Sequence, residues 1–303
     1  MLKQTLLFLS EQEELKDVLF RLPYARKMAS RFVAGDTSEE ALAVARRLND
    51  EGFRVTLDLL GESVTDRAMA EAAAGEYRRS LDEIAVSQAE STISLKLTQL
   101  GLDIDPEFCY ENLLGVVRHA ADLGNFVRID MESSAHTRST LEIFHRVFAE
   151  HRNVGVVIQS YLHRSEADVA ELVRLKAPVR LCKGAYKEPP SVAFQNKKDV
   201  DENFVHLMRM LLDGGAPTAI ASHDEQMIEA TLQHAQRNHI PDDAFELQML
   251  YGVRRDYQKQ LVANGLAMRI YLPYGSQWYS YFMRRMAERP ANLLFVARAA
   301  LGD

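Results

Sequence analysis

Eight short apolar runs, each followed by a helical pattern, constrain this chain more than any other feature. They are 54–60, Thr92-Ile-Ser-Leu-Lys-Leu97, Phe126-Val-Arg-Ile-Asp130, Val154–Gln159, Val179-Arg-Leu-Cys182, Thr218–Ser222, Phe245–Met249 and Ala267–Tyr271. Strands that alternate with helices imply a parallel sheet covered on its faces. Eight such units are the number that closes a barrel, and the span from about residue 54 to 290 matches the roughly 250 residues such a barrel takes. An open doubly wound sheet would want a Gly-x-Gly-x-x-Gly turn after an early strand, and the sequence has none. The expected fold class is therefore α/β: a single (β/α)8 TIM-like barrel domain over residues 1–303, with an N-terminal helical arm over about 1–52 and the barrel from about 53.

Local signals support the units. Thr37-Ser-Glu-Glu40 has the pattern of a capping box. Behind it Ala41, Val44, Ala45 and Leu48 recur at helical spacing, and Gly52 stops the helix. A long helical region spans about Thr65 to Glu90. Met227, Ile228, Thr231 and Ala235 share one face of a later helix, and Gly265 terminates the one that carries Leu261.

Of the 303 residues, 47% are apolar and 26% charged, as in an ordinary globular chain. A net charge of -7 with no basic run argues against general nucleic-acid binding. The N-terminus has only the apolar run Leu6-Leu7-Phe8-Leu9, without the features of a signal peptide. No window reaches the roughly 18 apolar residues of a membrane span. The expected location is cytoplasmic, or peripheral at the inner face of a membrane. Cys109 and Cys182 lack metal-type spacing and read as reduced packing residues.

The chemistry is densest in Val179-Arg-Leu-Cys-Lys-Gly-Ala-Tyr186. A buried strand here carries Arg180, and an unpaired buried charge is very costly, so Arg180 needs a carboxylate or a ligand. Active sites of such barrels lie at the C-terminal strand ends. The polar residues at those ends are Glu62, Lys96, Asp130, Gln159, Arg180, Lys183, Ser222, His223, Gln248 and Tyr271. Individually each has a bland reading. Lys96 and Asp130 can neutralise one another, Gln159 and Gln248 can be satisfied core amides, and His223 can belong to a cap or loop. Together they point to a ligand site.

The last helix adds Tyr281, Arg284 and Glu288 on one face, with Arg285 beside it. Adjacent arginines suit a carboxylate or phosphate, although a bare Arg-Arg is more often a solvated face. The sequence offers no metal cluster, and no Cys or Ser nucleophile with an evident base. A cofactor is then expected to carry the chemistry. Arg180, Lys183, the backbone N–H groups at Gly184 and Ala185, and the helix start near His223 can hold a pyrophosphate and an electron-rich ring.

At these residues the chain resembles the proline dehydrogenase family, most closely its monofunctional bacterial members. The likeness rests on Arg180-Leu-Cys-Lys-Gly-Ala-Tyr186, Asp130-Met-Glu132, Phe245-Glu-Leu-Gln248 and Tyr281-x-x-Arg-Arg285-x-x-Glu288, in the family's order. It runs from about Arg31 to Leu301. It implies a distorted (βα)8 barrel binding FAD non-covalently. Arg180 is implied near the reactive edge of the flavin. Asp130, Lys183, Gly184, Ala185, Tyr186, Ser222 and His223 are implied to cradle the cofactor, and Gln159 and Gln248 to hydrogen-bond its ring. Arg284, Arg285 and Lys96 are implied to bind the substrate carboxylate. Leu250, Tyr271, Tyr281 and Glu288 complete the substrate pocket, with Asp130 supporting Lys96. Catalytic roles fall to Arg180, Lys96, Asp130 and Tyr271. Glu62 is implied to close the site by pairing with Arg284, and no metal is implied.

The implied reaction is oxidation of L-proline to Δ1-pyrroline-5-carboxylate by hydride transfer to flavin N5. A membrane quinone would take the electrons, and a pyrroline-5-carboxylate dehydrogenase would take the product. Two segments depart from the family: Ala221-Ser-His-Asp224 where Thr-His-Asn is common, and Tyr186-Lys187 where longer relatives carry Trp. Two other readings remain open on residues alone. One is a Schiff-base aldolase using Lys96 or Lys183. The other is a non-catalytic barrel that holds a small acid on Arg284 and Arg285.

Overall fold

The structure is a computed structural model that describes residues 30–61, 64–279, 281 and 282. Eight parallel strands form a closed barrel in chain order. They are β1 (Arg54–Leu59), β2 (Ser91–Leu95), β3 (Val127–Ile129), β4 (Val154–Gln159), β5 (Val179–Cys182), β6 (Thr218–Ala221), β7 (Phe245–Leu250) and β8 (Met268–Tyr274). The expected barrel is thus the observed one. Helix α1 (Ser38–Asp50) precedes β1. Then α2 (Arg67–Ser87), α3 (Pro106–Asp122), α4 (Ser134–Glu150), α5 (Ser165–Arg174), α6 (Lys197–Asp213), α7 (Glu225–Arg237) and α8 (Arg255–Ala263) each follow one strand. A 3-10 turn, Leu97–Leu100, lies between β2 and α3. Most of the expected N-terminal arm, and the helix expected to carry Arg284, Arg285 and Glu288, lie outside the described residues.

The ring closes where β1 pairs with β8, from Arg54 opposite Arg269 to Leu59 opposite Tyr274. Strand β8 runs three residues beyond the expected Tyr271, through Pro273. Proline lacks a donor and is tolerated only where no ladder bond is needed. That condition holds: β7 ends with Leu250 opposite Tyr271, and the Pro273 carbonyl instead accepts from Ala34 N–H at 2.8 Å. The next carbonyl, of Tyr274, faces β1 and accepts from Leu60 N–H at 2.7 Å.

Along each strand, residues alternate between the helices and the barrel interior. The outward positions are apolar and fully buried: Val55, Leu57, Ile93, Leu95, Ile270 and Leu272 join one continuous core with the helices. Most strands carry polar inward positions: Thr56 and Asp58 on β1, Ser94 on β2, Arg128 on β3, Arg180 on β5, and Gln248 on β7 are all buried, with Val157 of β4 and Ala219 of β6 apolar beside Arg180. The apolar seal of this molecule is therefore the helix–sheet layer, and the bore of the barrel is left for charge.

The helices end as their sequences demand. The Thr37 side chain accepts the Glu40 N–H at 3.3 Å, while the Glu40 carboxylate reaches back to Asp36 N–H at 2.7 Å, one residue earlier than a full capping box. Asp66, Asp105 and Asp224 cap α2, α3 and α7. The apolar stripe of α7 buries Met227, Ile228, Thr231 and Ala235 as its spacing predicts. No helix among the described residues is long and apolar enough to cross a membrane.

Candidate active site

At the C-terminal ends of the strands the inward charges meet. Arg180, the buried cation of β5, donates from one Nη to Asp130 at 2.6 Å and from Nε to Gln248 at 2.5 Å. Tyr271 donates its hydroxyl to the other Asp130 oxygen at 2.6 Å. The Arg180 guanidinium lies 5.3 Å from the Tyr271 ring centre. Asp130 thus joins side chains from the fifth and eighth strands across the bore. Gln248 passes the network on, donating to Glu246 at 2.5 Å.

Lys96 is 2.9 Å from Asp58 and 4.0 Å from Asp130. Its first partner is therefore Asp58 and not the expected Asp130. Asp58 sits inside the apolar run of β1, and the rule that singled out Arg180, a charge within a buried strand, applies to it equally. Burial works against the Lys96 ammonium, but Asp58 and Asp130 outweigh it and raise its pKa. Burial raises the Asp58 carboxyl, against the pull of Lys96. The Tyr271 phenol is pushed well up, by burial first and then by the charge of Asp130. Glu132, just past β3, anchors the turn after Lys96: it accepts from Thr98 Oγ1 at 2.6 Å and from Thr98 N–H at 3.2 Å.

Gln159, at the end of β4, donates to the Met131 carbonyl at 3.4 Å. Its amide oxygen is buried and has no hydrogen-bond partner. An orphaned buried acceptor has a real cost, so this atom calls for a donor from a ligand. The loop after β5 turns at Gly184, whose φ of +105° belongs to glycine. A Cβ there would lie 2.3 Å from the Tyr161 ring. Beyond it, Ala185 and Tyr186 are exposed at the mouth, and Glu188 ties the loop to the start of α4 through Ser134 N–H at 2.7 Å.

Lys183 binds Asp224 at 2.7 Å and also Asp201, and Lys197 meets the same two acids. Burial disfavours the Asp224 carboxylate, but hydrogen bonds from Lys183 and Lys197 overcome this and hold its pKa down at about 2. Asp201 and Asp224 were not anticipated. Lys183 reaches Asp224 from another strand-end loop, which spacing along the chain does not reveal, whereas Lys197 and Asp201 are four residues apart on α6. Ser222 Oγ accepts the Asp224 N–H at 3.1 Å, and His223 Nε2 accepts the Leu250 N–H at 3.0 Å. These contacts lock the ends of β6 and β7 together. The structure gathers Lys96, Asp130, Gln159, Arg180, Gln248 and Tyr271 into one mouth, with Lys183, Gly184, Ser222, His223 and Leu250 on its rim. Tyr281 is buried, whereas Glu62, Arg284, Arg285 and Glu288 lie outside the described residues.

A family model described as proline dehydrogenase matches residues 41–298. The chain belongs to the proline dehydrogenase family. Proline dehydrogenase 1 of Bacillus subtilis (strain 168) is 42% identical over 302 residues, covering 99% of both chains. Proline dehydrogenase of Deinococcus radiodurans is 39% identical over 279 residues, 90% of each. Among solved structures, proline utilization A from Bdellovibrio bacteriovorus, inactivated by N-propargylglycine, superposes with a TM-score of 0.82 at 28% identity. That match covers 87% of this chain and 33% of the larger protein. The barrel and the family are those expected from the sequence, and this chain is an enzyme of the proline dehydrogenase type.

Proposed function

We propose that this enzyme oxidises L-proline to Δ1-pyrroline-5-carboxylate with FAD held at the C-terminal mouth of the barrel. The observation that carries the reading is the buried junction at Asp130, where Arg180 and Tyr271 converge beside Lys96. The residues present fit a flavin. The orphaned Gln159 oxygen seeks an N–H donor, Gly184 lets the loop pass close to Tyr161, and Arg180 offers a fixed cation. In the proposed complex Gln159, Arg180 and Gln248 face the ring. Lys183, Gly184, Ala185, Tyr186, Ser222 and His223 border the rest of the cofactor. When bound, FAD supplies the hydride acceptor.

The chain's own part is to position and to hold charge. Asp130 and Gln248 grip two edges of the Arg180 guanidinium, so a positive charge stands ready without reorganisation. Lys96 stays an ammonium at neutral pH because Asp58 and Asp130 outweigh its burial. A protonated lysine has no lone pair, which counts against the Schiff-base reading at this residue. It can instead share the substrate carboxylate with Arg284 and Arg285. Tyr271 stays neutral and donates to Asp130, presenting its ring as a wall, with Leu250 and Tyr281 as further walls. Pairing of Glu62 with Arg284 would then close the pocket, and Glu288 would brace the arginines. Holding proline's ring carbon against the acceptor is the kind of positioning worth roughly 7–11 kcal/mol at best. A quinone would receive the electrons and a pyrroline-5-carboxylate dehydrogenase the product, with the protein in the cytoplasm or peripheral at a membrane face.

The test is a visible absorption spectrum before and after anaerobic L-proline. Flavin bands that bleach with proline are the expected result. No flavin bands, even after added FAD, would overturn the cofactor; bands that persist would overturn the substrate. In Arg284→Ala and Arg285→Ala, proline affinity should fall while bound flavin remains.

A further inference from the structure

At the opposite mouth, among the N-terminal ends of the strands, a cavity of about 280 Å³ is lined by Arg54, Arg128, Glu246 and Arg269, with Arg180 and Gln248 reaching its inner wall. Its charges do not balance. Glu246 is taken by Arg269, which grips both carboxylate oxygens at 2.7 and 3.0 Å. Arg54 stands 3.6 Å from the same carboxylate and 3.1 Å from Glu90 at the rim. Arg180 has its carboxylate in Asp130, at the other end of the bore. The remaining acid, Asp243, is exposed on the rim.

Arg128 is left over. It is 7% exposed. One Nη donates to the carbonyls of Pro178 at 2.7 Å and Val156 at 3.2 Å, and the guanidinium lies 4.9 Å from the Phe126 ring centre. Among the described residues it has no carboxylate partner, and its Nε and second Nη have no acceptor. The seat is nevertheless shaped for it. A Cβ on Gly155 would come within 2.4 Å of the Arg128 Nη and 2.6 Å of the Pro178 carbonyl. Burial, and next the neighbouring charge of Arg180, push the Arg128 pKa down to about 9. Glu246 and Asp130 favour the charge only from a distance; a buried cation with no carboxylate in contact is costly, and a guanidinium edge with free donors matches a planar or tetrahedral oxyanion in bidentate fashion.

We propose that this N-terminal mouth is an anion site, taking a small carboxylate or inorganic phosphate on Arg128, with Arg54 and Arg269 supplying the remaining positive wall. It opens at the other end of the bore, sharing only Arg180 and Gln248 as a common floor with the site at the C-terminal mouth, and does not rest on the reaction assigned there.

The test is thermal denaturation of the FAD-loaded enzyme, titrated with sodium phosphate and, separately, sodium succinate. Sodium chloride at matched ionic strength is the reference, and wild type is compared with Arg128→Met and Arg54→Gln. At least one anion should raise the wild-type midpoint in a saturable way, and which one does so distinguishes phosphate from carboxylate. The apparent affinity should weaken about tenfold or more in Arg54→Gln and vanish in Arg128→Met. Arg54 lies at the half-exposed rim, so that variant decides the matter even if Arg128→Met does not fold. Neither anion stabilising the wild type beyond chloride, or undiminished stabilisation in Arg54→Gln, would overturn the proposal.

Discussion

Single side chains in this barrel are set by the partner they find across the bore. Arg180 was legible from the sequence as a charge in an apolar strand that must be paired. Its partners, Asp130 and Gln248, come from the third and seventh strands. A lysine in its place keeps the charge and loses the planar fork that reaches both. Arg180→Lys should therefore lower kcat/KM for proline by about 10- to 100-fold, since a hydrogen bond to a charged group is worth roughly 1.5–3 kcal/mol. Steady-state kinetics with an artificial acceptor would check it, and an unchanged value would remove Arg180 from the machinery. Asp224 makes a second case. Its folded pKa of about 2 lies below the ordinary 3.8, so its contribution to stability is full above about pH 4 and is lost as the pH falls through about 2. Asparagine keeps the helix cap but not the charge. Urea midpoints should fall more between about pH 4 and pH 2 in wild type than in Asp224→Asn. Parallel curves would show that the lysine pairs add nothing.

Strands and helices were the most legible scale. Apolar runs placed the eight strands, and caps, spacing and glycine stops placed α1, α2, α7 and α8, because burial between helix and sheet demands an apolar outer face along each strand. Ends were less legible. The eighth strand passes through Pro273 since its neighbour has already ended there, which only the register shows. Gly184 was legible as a backbone N–H donor of the loop after the fifth strand, but not as a close approach to Tyr161. A side chain at φ +105° with its Cβ 2.3 Å from that ring is strained whichever way it relaxes. Gly184→Ala should cost about 1–3 kcal/mol and weaken flavin retention, read from the melting temperature and the bound flavin ratio. A full-affinity, fully stable variant would mean that the loop has another path open to it.

Closure governs the whole molecule. Strands β1 and β8 complete the ring although most of the chain lies between them, and Ile270 and Leu272, at 0% exposure, seal that seam. Ile270→Ala should cost roughly 2–5 kcal/mol. Because neither strand has another partner on that flank, amide exchange should speed up in β1 as well as in β8. Faster exchange in β8 alone would mean that the seam is not one unit. At this scale the sequence alone determined the fold class, the unit count, the motif order and the identity of most mouth residues, since period, burial and residue type are properties of the chain itself. Only the tertiary structure decided which charge meets which: Lys96 with Asp58 before Asp130, Lys183 with Asp201 and Asp224, and Arg128 with no acid among the described residues. The inward positions of different strands become neighbours only once the ring has closed, and spacing along the chain carries no record of that distance.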